Sequence, residues 1–236
     1  MGDRRLVIAI DGPASSGKSA LGEALARALG YVFFDTGALY RAVTWLALRK
    51  GVDVASEGEL ERLARETQVD VIRPTVDDGR QYTVLADGED ITWDIVKPEV
   101  DAKVSPVSAH PSVRMALLEA QRRIARGGGV VMVGRDIGTV VVPDADLKLY
   151  LVASPEVRAR RRQKQMAERG QRADYERVLD NVLMRDKIDS GRAAAPLKPA
   201  PDAVLVDTSD MTLEQELELV LRLVKKRGTL PARLPR

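Results

Sequence analysis

A glycine-rich segment near the start of the chain carries a lysine and a serine at a spacing that can bind phosphate. Gly12, Gly17, Lys18 and Ser19, in the stretch GPASSGKSA, match the pattern G-x-x-x-x-G-K-[ST] without a mismatch. The stretch follows the apolar run RLVIAI and opens a helical pattern, so backbone N–H groups and a helix N-terminus would converge on an anion. Lys18 would then reach the β- and γ-phosphates of a nucleoside triphosphate, and the Ser19 hydroxyl would bind Mg²⁺. The alternative is a plain strand-to-helix turn with an exposed lysine.

Two further segments place polar and charged side chains directly after predicted strands. The stretch FDTGALYR carries Asp35, Thr36 and Arg41, and GRDIGTVVVPDA carries Arg135 and Asp136. Ligands of doubly wound sheets bind outside the carboxyl ends of the strands, and arginine suits bidentate capture of phosphate, so these segments predict a second anion site. Alternatively, Asp35 and Thr36 cap a helix, and Arg135 forms an ion pair with Asp136 that holds a turn.

A cationic helical region occupies residues 156–192. It contains 11 Lys and Arg against 7 Asp and Glu, and its helical pattern is broken at Gly170. Two sets of side chains share a helix face by their spacing: Arg158, Arg161 and Arg162, and Arg185, Asp189 and Arg192. With a phosphate loop upstream, we interpret the region as a cationic flap over a nucleotide whose first set could converge on one anion. A solvated helix face and a ladder of intrahelical ion pairs are the alternatives.

Composition excludes several classes of chemistry. The 236 residues include no cysteine and a single histidine, His110, which leaves no disulfide, zinc–thiolate site or Cys/His nucleophile. A formal net charge of +2 does not indicate a general nucleic-acid coat. The start of the chain lacks the apolar region of a secretion signal, and no apolar run approaches the ~18 residues that span a bilayer. We therefore expect a cytoplasmic protein without membrane or nucleic-acid partners.

The chemistry-bearing segments lie between alternating strand and helix patterns. Short apolar runs, namely RLVIAI, YVFF, VVMV, LKLYLV and AVLV, alternate with amphipathic segments, which predicts an α/β fold with a parallel sheet covered on both faces. Residues 69–91 instead alternate apolar and polar residues around Asp-Gly turn signals and predict a small antiparallel insertion. The segment TLEQELELVLRLVKK predicts a helix with one apolar face made of Leu213, Leu217, Val220, Leu221 and Val224.

A phosphate loop occurs in switches and motors as well as in kinases. The strings Asn-Lys-x-Asp and Asp-x-x-Gly, which GTP switches usually carry, are absent from the sequence. A small-molecule kinase needs a second anion site, arginines that stabilise transferred charge and a lid that excludes water, and the sequence offers candidates for all three. The alternatives are a nucleotide-dependent regulatory ATPase and a kinase for another small acceptor such as shikimate.

The motifs in their order, GPASSGKS, FDTGALYR, GRDIGTVVVPDA, RARRR and RDKIDSGRAAAPL, resemble the bacterial cytidylate (CMP) kinase family of P-loop nucleoside monophosphate kinases. The resemblance runs through nearly the whole chain, and GRDIGTVV with RAAAPL is its specific portion. It implies a three-layer P-loop NTPase fold with a five-stranded parallel sheet, an antiparallel insertion and an Arg-rich lid. It also implies transfer of the γ-phosphoryl group of ATP, with Mg²⁺, to CMP and dCMP by a monomer.

The resemblance assigns roles residue by residue. ATP phosphates would be held by Gly12, Pro13, Ala14, Ser15, Ser16, Gly17, Lys18, Ser19 and Ala20, with Ser19 on the metal. Nucleoside monophosphate would be bound by Thr36, Arg41, Arg114, Arg135, Asp136, Arg185, Asp189 and Arg192. Catalysis would depend on Lys18, Arg135, Asp136, Arg158 and Arg162. Taken alone, Arg114 would be a surface salt-bridge residue.

The same resemblance divides the chain into regions of one kinase domain. The core would comprise residues 1–35, 105–155 and 172–228, the monophosphate-binding region 36–104, the lid 156–171 and a loose tail 229–236. One position departs from the family pattern, because Val133 stands where many members have Asp or Glu before Gly-Arg-Asp. If that acid selects the base or organises Mg²⁺, another acid such as Asp35 or Asp136 must serve, and the preference among CMP, dCMP and UMP stays open.

Overall fold

The structure is a computed structural model that describes residues 5–168 and 170–227. The predicted tail at 229–236 and position 169 of the predicted lid lie outside the described residues. The chain forms two compact units, one made of the described parts of Met1–Phe33 and Ile124–Arg236, the other of Phe34–Arg123. The predicted monophosphate-binding region, 36–104, falls inside the second unit, and its assignment stays a prediction.

In chain order the elements are β1 (Val7–Asp11), α1 (Lys18–Leu29), β2 (Val32–Asp35), α2 (Gly37–Lys50), α3 (Glu57–Glu66), β3 (Val69–Ile72), β4 (Thr83–Ala86), β5 (Glu89–Asp90), α4 (Pro98–Ala109), α5 (Pro111–Ala125), β6 (Val130–Gly134), β7 (Leu147–Val152), α6 (Pro155–Glu168), α7 (Tyr175–Gly191), β8 (Val204–Asp207) and α8 (Leu213–Lys226). A π-helical turn at Ile137–Val141 follows β6. None of the helices in the described ranges has the length and apolar character needed to cross a bilayer.

Five strands form one sheet in the order β2, β6, β1, β7, β8. The central strand β1 runs parallel to both neighbours, and Ala9 lies between Met132 and Lys148. Side chains on both faces of these strands are buried, as Ile8 and Met132 show, because a parallel sheet covered on both sides needs apolar residues throughout. The predicted α/β fold with a five-stranded parallel sheet is confirmed.

The core of the first unit lies between this sheet and the helices α1 and α8. Leu21 and Leu25 of α1 and Val220 and Val224 of α8 pack in one cluster with inward residues of the strands. A capping box at the start of α8 stops fraying of the helix, since Thr212 accepts the Gln215 N–H and the Gln215 side chain binds back.

One member of the predicted apolar face of α8 is wrong. Leu213 is 39% exposed, because it is the first residue of the helix and lies beyond the edge of the core. The buried side chain in this first turn is instead an acid, Glu216, which is 4% exposed. The pattern of apolar residues gave no indication of that burial.

The second unit contains the antiparallel insertion. Strands β3, β4 and β5 form a three-stranded sheet in that order, with Val71 opposite Val84. Asp87 and Gly88, both at positive φ, form the turn between β4 and β5. This confirms the predicted insertion. Its apolar face packs with Ala38 and Ala42 of α2 in a separate cluster.

Candidate active site

The phosphate loop connects β1 to α1, and its glycines are required by its geometry. Gly12 has φ +150°, and a Cβ on it would lie 2.3 Å from the carbonyl oxygen of Leu151. Gly17 has φ +94° and immediately precedes α1. Any side chain at Gly12 would collide with the backbone of the neighbouring strand β7, so the loop can take this path only with glycine.

The backbone conformation of the loop is typical of an anion-binding site. Gly12, Ser15 and Gly17 all have positive φ. Left-handed residues in a turn are typical of anion-binding nests. Gly17 provides no side-chain cap, so the first N–H groups of α1 receive no capping bond from it. These donors and the positive end of the helix dipole suit a bound phosphate.

Lys18 lies over the loop rather than in solvent. Its side chain is buried, with the residue 6% exposed, and Nζ donates to the Pro13 carbonyl at 2.6 Å and to Ser16 Oγ at 3.4 Å. The alternative of a plain turn with an exposed lysine is therefore wrong. The ammonium group is held where it can neutralise a phosphate in the loop.

Asp11 is a site residue that the sequence reasoning missed. It ends β1, is 3% exposed, and accepts the N–H groups of Ile137 and Gly138 at 2.7 and 2.8 Å. Burial raises the pKa of Asp11 to about 6, although the two N–H bonds and nearby Lys18 lower it. The carboxyl group fixes the turn after β6 beside the phosphate loop. The available signal was an acid at the end of an apolar strand, directly before Gly12.

The turn after β6 and the end of α7 meet in a charged cluster. Arg135 Nε donates to Asp189 Oδ2 at 2.8 Å, and Arg192 Nη1 lies 3.8 Å from Asp189 Oδ1. Burial acts to raise the pKa of Asp189, but Arg135, Arg192 and Arg185 outweigh it, so this pKa lies below its ordinary value. Two arginines, Arg185 and Arg192, and the carboxylate of Asp189 are each less than 10% exposed. The structure thus brings together four residues that were predicted to bind the nucleoside monophosphate, namely Arg135, Arg185, Asp189 and Arg192.

Asp136 lies in the same turn. It is 4% exposed, and its backbone carbonyl accepts the N–H groups of Val140 and Val141 at 2.9 and 3.1 Å. This places the residue at the start of the π-helical turn, one residue before the backbone amides that Asp11 holds.

The predicted lid arginines bond to different partners. Arg158 is 3% exposed and forms a two-bonded ion pair with Asp186 of α7. Arg161 bonds to the hydroxyl and carbonyl of Thr208, just after β8, whereas Arg162 bonds to Gln165 within α6. The partners of the three arginines thus lie on different elements, and convergence of the three groups on one anion stays a prediction.

Arg158 nevertheless reaches the phosphate loop. Its Nη1 atom donates to the carbonyl of Ala14 at 3.3 Å as well as to Asp186. Asp186 and Thr208 were both missed from the sequence. Asp186 adjoins Arg185 in a run of charges where nothing singles it out, and Thr208, whose hydroxyl lies 3.2 Å from the Ser16 carbonyl, carries no motif at all.

The second unit contains Asp35 and Thr36, for which the sequence left helix capping open as an alternative role. Thr36 is 3% exposed and makes no side-chain capping bond at the start of α2, so capping as its role is wrong. Asp35 accepts the Gly37 N–H at 2.9 Å and holds the turn instead. Binding of a nucleotide by Thr36 stays a prediction.

The second unit also contains two arginines that were predicted to bind the acceptor nucleotide, and they contact different partners. Arg41 forms an ion pair with Asp101 of α4 and donates to the Ile95 carbonyl at 3.2 Å. Arg114 lies with its guanidinium carbon 5.1 Å from the centre of the Tyr40 ring and donates to the Ser108 carbonyl at 3.0 Å. Since Arg114 is 8% exposed, a surface salt bridge as its role is wrong.

The comparisons with known proteins agree with this geometry. The family model described as cytidylate kinase matches residues 8–226. A cytidylate kinase of Herpetosiphon aurantiacus is 49% identical over 92% of this chain and 93% of its own length. One of Pelotomaculum thermopropionicum is 49% identical over 91% of this chain and 93% of its own. The chain belongs to the cytidylate kinase family. Among solved structures, a shikimate kinase from Bacteroides thetaiotaomicron is 15% identical, with a TM-score of 0.48 over 93% of this chain and 98% of that one.

Within this cytidylate kinase fold, Val133 is a core residue. It is 1% exposed, belongs to the cluster that includes Leu21, and its Cγ1 would lie 2.6 Å from a Cβ built on Gly22 of α1. Valine suits this packing, because an acid here would lose its hydration without an evident ion partner in the cluster. That Asp35 or Asp136 takes over the function of an acid at this position stays a prediction.

The described residues offer few side chains that could bind a metal ion. In the described ranges, acidic and histidine side chains form no group of three or more that could bind a metal. Mg²⁺ in kinases is held largely by substrate phosphates and needs few protein ligands, so Ser19, the second residue of α1, is a sufficient hydroxyl ligand in principle.

Proposed function

We propose that this cytidylate kinase family member transfers the γ-phosphoryl group of ATP to CMP and dCMP, giving ADP with CDP or dCDP. The observation that carries the proposal is the formed phosphate loop, with Lys18 buried over it, in a chain that matches the family from residue 8 to 226. The reaction would serve pyrimidine nucleotide metabolism.

The donor would bind along Gly12–Ala20. The loop amides and the helix N-terminus would hold the phosphates, and Lys18 would leave the Pro13 carbonyl for the β- and γ-phosphate oxygens. Mg²⁺, bound by Ser19 and the phosphates, would supply neutralisation of their charge. Arg158, already bonded to the Ala14 carbonyl, would stabilise charge on the moving phosphoryl group together with Arg162.

The acceptor would be bound by the residues that the family resemblance assigns to it. In the first unit these are Arg135, Asp136, Arg185, Asp189 and Arg192. Arg135 and Arg192 would bind phosphate, and Asp189, fixed between them, would accept from the sugar hydroxyls. In the second unit, Thr36, Arg41 and Arg114 would contribute, with the two arginines on phosphate.

Direct in-line transfer needs no side-chain nucleophile. Catalysis would come from positioning of the two nucleotides and from neutralisation of phosphate charge, as is general for phosphoryl transfer. His110 has no place in it, since it lies between α4 and α5 with Nε2 at 2.8 Å from the Val54 carbonyl. Residues 156–171 would act as the lid that keeps water, the competing acceptor, from the phosphoryl group.

The experiment is a coupled ADP-release assay on the purified full chain with ATP and Mg²⁺. The acceptors are CMP, dCMP, UMP, AMP, GMP, TMP and shikimate, with a control that contains no acceptor. We expect turnover with CMP and dCMP to exceed every other acceptor and the control. The same reactions with EDTA in excess of Mg²⁺ should lose activity.

Two outcomes would contradict the proposal. Turnover that is equal with and without an acceptor would indicate a regulatory ATPase, and turnover that is fastest with shikimate or a purine nucleotide would indicate another kinase.

We further propose a monomer located in the cytoplasm. Analytical ultracentrifugation and cell fractionation test these two statements, and a dimer or a membrane-associated pool would contradict them.

A further inference from the structure

Glu216 is a buried acid beside the phosphate loop that has no role in the proposed reaction. It lies in the first turn of α8 and is 4% exposed. Its carboxyl oxygens lie 3.6 and 3.8 Å from the point where a Cβ on Gly17 would stand. Gly17 is the last residue of the loop before α1, so a carboxyl group faces the rim of the anion site.

Arg161 stands at the same point. Its Nη1 atom lies 3.8 Å from the Cβ position of Gly17, and the guanidinium group is anchored on the hydroxyl and carbonyl of Thr208. The Thr208 hydroxyl in turn lies 3.2 Å from the Ser16 carbonyl. The carboxyl group and the guanidinium group therefore approach the loop together. Within the described residues, hydrogen bonds hold the guanidinium group of Arg161 but not the carboxyl group of Glu216.

The surroundings of the Glu216 carboxyl group favour its neutral form. Burial raises the pKa of Glu216 to about 7, while the positive charge of Arg161 lowers it. No hydrogen bond from the described part of the chain stabilises the carboxylate, as burial and Arg161 are the sole causes of its shift. The acid is thus balanced between its two states near neutral pH.

Among the described residues, Arg161 is the charged group whose field shifts the pKa of Glu216. From α6 the carboxyl group faces Arg161, and from the loop it faces Gly17, which has no side chain. Lys18 of α1 turns its ammonium group toward the Pro13 carbonyl and Ser16. After β8, Thr208 is uncharged, and Asp207 is bonded to the Ser209 N–H.

We propose that Glu216 is a proton-linked residue of the triphosphate site, whose carboxylate takes up a proton from solvent when phosphates bind in the loop. Phosphates bound in the loop that ends at Gly17 bring like charge toward the carboxylate, which disfavours its ionised form. Protonation removes that repulsion and leaves the positive charge of Arg161 to the phosphates. The inference rests on the proposed function only in that the loop must bind a triphosphate.

The experiment measures binding of the non-hydrolysable analogue AMPPNP with Mg²⁺ by isothermal titration calorimetry on the full chain. Titrations at pH 7 in buffers of different ionisation enthalpy give the number of protons taken up on binding. We expect Glu216→Gln to take up fewer protons than the wild type, because the difference between them cancels any proton that the analogue itself binds. Glu218→Gln, on the exposed side of α8 beside Arg222, is the matched control and should equal the wild type.

Affinity gives a second measurement. If bound phosphate raises the pKa of the acid by one unit, the wild-type Kd rises about fivefold between pH 6 and pH 8 relative to Glu216→Gln. Arg161→Gln removes the charge that lowers this pKa, so its proton uptake should persist to higher pH. If Glu216 has only a structural role, its replacement changes neither the number of protons taken up on binding nor the pH dependence of Kd.

Each result decides the inference. Equal proton uptake by the wild type and Glu216→Gln, with both variants folded and active on CMP, overturns the inference alone. Binding of AMPPNP with the expected proton difference but no phosphorylation of CMP overturns the proposed function alone. Failure of the folded wild type to bind AMPPNP overturns both.

Discussion

The Nε atom of Arg135 donates a hydrogen bond to Oδ2 of Asp189 at 2.8 Å, which joins the turn after β6 to the end of α7. The two residues are 54 positions apart, and the Asp189 side chain is 4% exposed. Arg192 approaches the other carboxylate oxygen at 3.8 Å. Asp189 therefore holds Arg135 by a hydrogen bond and attracts Arg192, so we expect a change at this one position on α7 to affect both guanidinium groups.

Replacing Asp189 by Asn should damage acceptor binding selectively. The amide keeps the shape but loses the charge that holds Arg135 and Arg192, so kcat/KM for CMP should fall by about 10- to 100-fold. The KM for ATP should change by less than about twofold. Steady-state kinetics with each substrate varied in turn check this. Asp180→Asn, at an exposed position on the same helix, should leave both values unchanged, and an equal loss for both substrates would contradict the assignment.

Replacing Lys18 by Ala should reduce kcat by about 10²- to 10³-fold, the usual cost of losing a group that stabilises transferred charge. The fold should persist, because the two bonds of the ammonium group are to the loop itself. The coupled assay gives the rate, and circular dichroism gives the melting curve. Lys50→Ala, at the exposed end of α2, is the control. An unaffected rate in Lys18→Ala would remove the assignment of the loop.

Replacing Gly12 by Ala should both weaken ATP binding and destabilise the first unit. The added Cβ would lie 2.3 Å from the Leu151 carbonyl, so β7 or the loop must move. Gly30→Ala separates this collision from backbone strain, since Gly30 also has positive φ but no atom lies within 4 Å of its Cβ position. Urea unfolding should show a larger loss for Gly12→Ala than for Gly30→Ala. Similar losses in the two variants would mean that the collision is relieved.

The raised pKa of Asp11 makes stability depend on pH in a defined direction. Between its ordinary value of 3.8 and about 6, the folded protein binds more protons at this site than the unfolded chain does. The free energy of unfolding contributed by Asp11 therefore falls as the pH rises through this range. Measured by urea unfolding, the free energy of unfolding of Asp11→Asn should therefore rise relative to that of the wild type between pH 4 and pH 6.

Asp144→Asn, at an exposed position after the π-helical turn, provides the comparison for that measurement. It should follow the wild-type pH dependence. If Asp11→Asn and the wild type have parallel curves, burial does not raise the pKa of Asp11 in solution.

Local features of the structure were predictable from neighbouring residues. The apolar runs became the five strands, and the Asp87–Gly88 signal became the turn between β4 and β5, because each depends on backbone preferences over a few residues. Helix α4 drew no prediction, since Pro106 in its interior disrupts the helical pattern. Helix α3 was not predicted either, and it begins after Ser56 without a side-chain capping bond.

The site was predictable in its residue types and less so in its contacts. Spacing placed Arg158, Arg161 and Arg162 on one face of α6, which is correct for the helix but does not determine which partner each long side chain reaches. Asp186 and Thr208 decided that, and both come from elements distant in sequence.

The sequence by itself determined the phosphate loop and the family, because the path of the loop depends on glycines within nine consecutive residues and the family on motifs in a fixed order. Only the tertiary structure decided that Asp11 holds the turn after β6, that Asp189 orients Arg135, and that Glu216 is buried against Gly17. These contacts join residues that are far apart in the chain, and burial and charge pairing depend on which surfaces meet when the helices pack on the sheet.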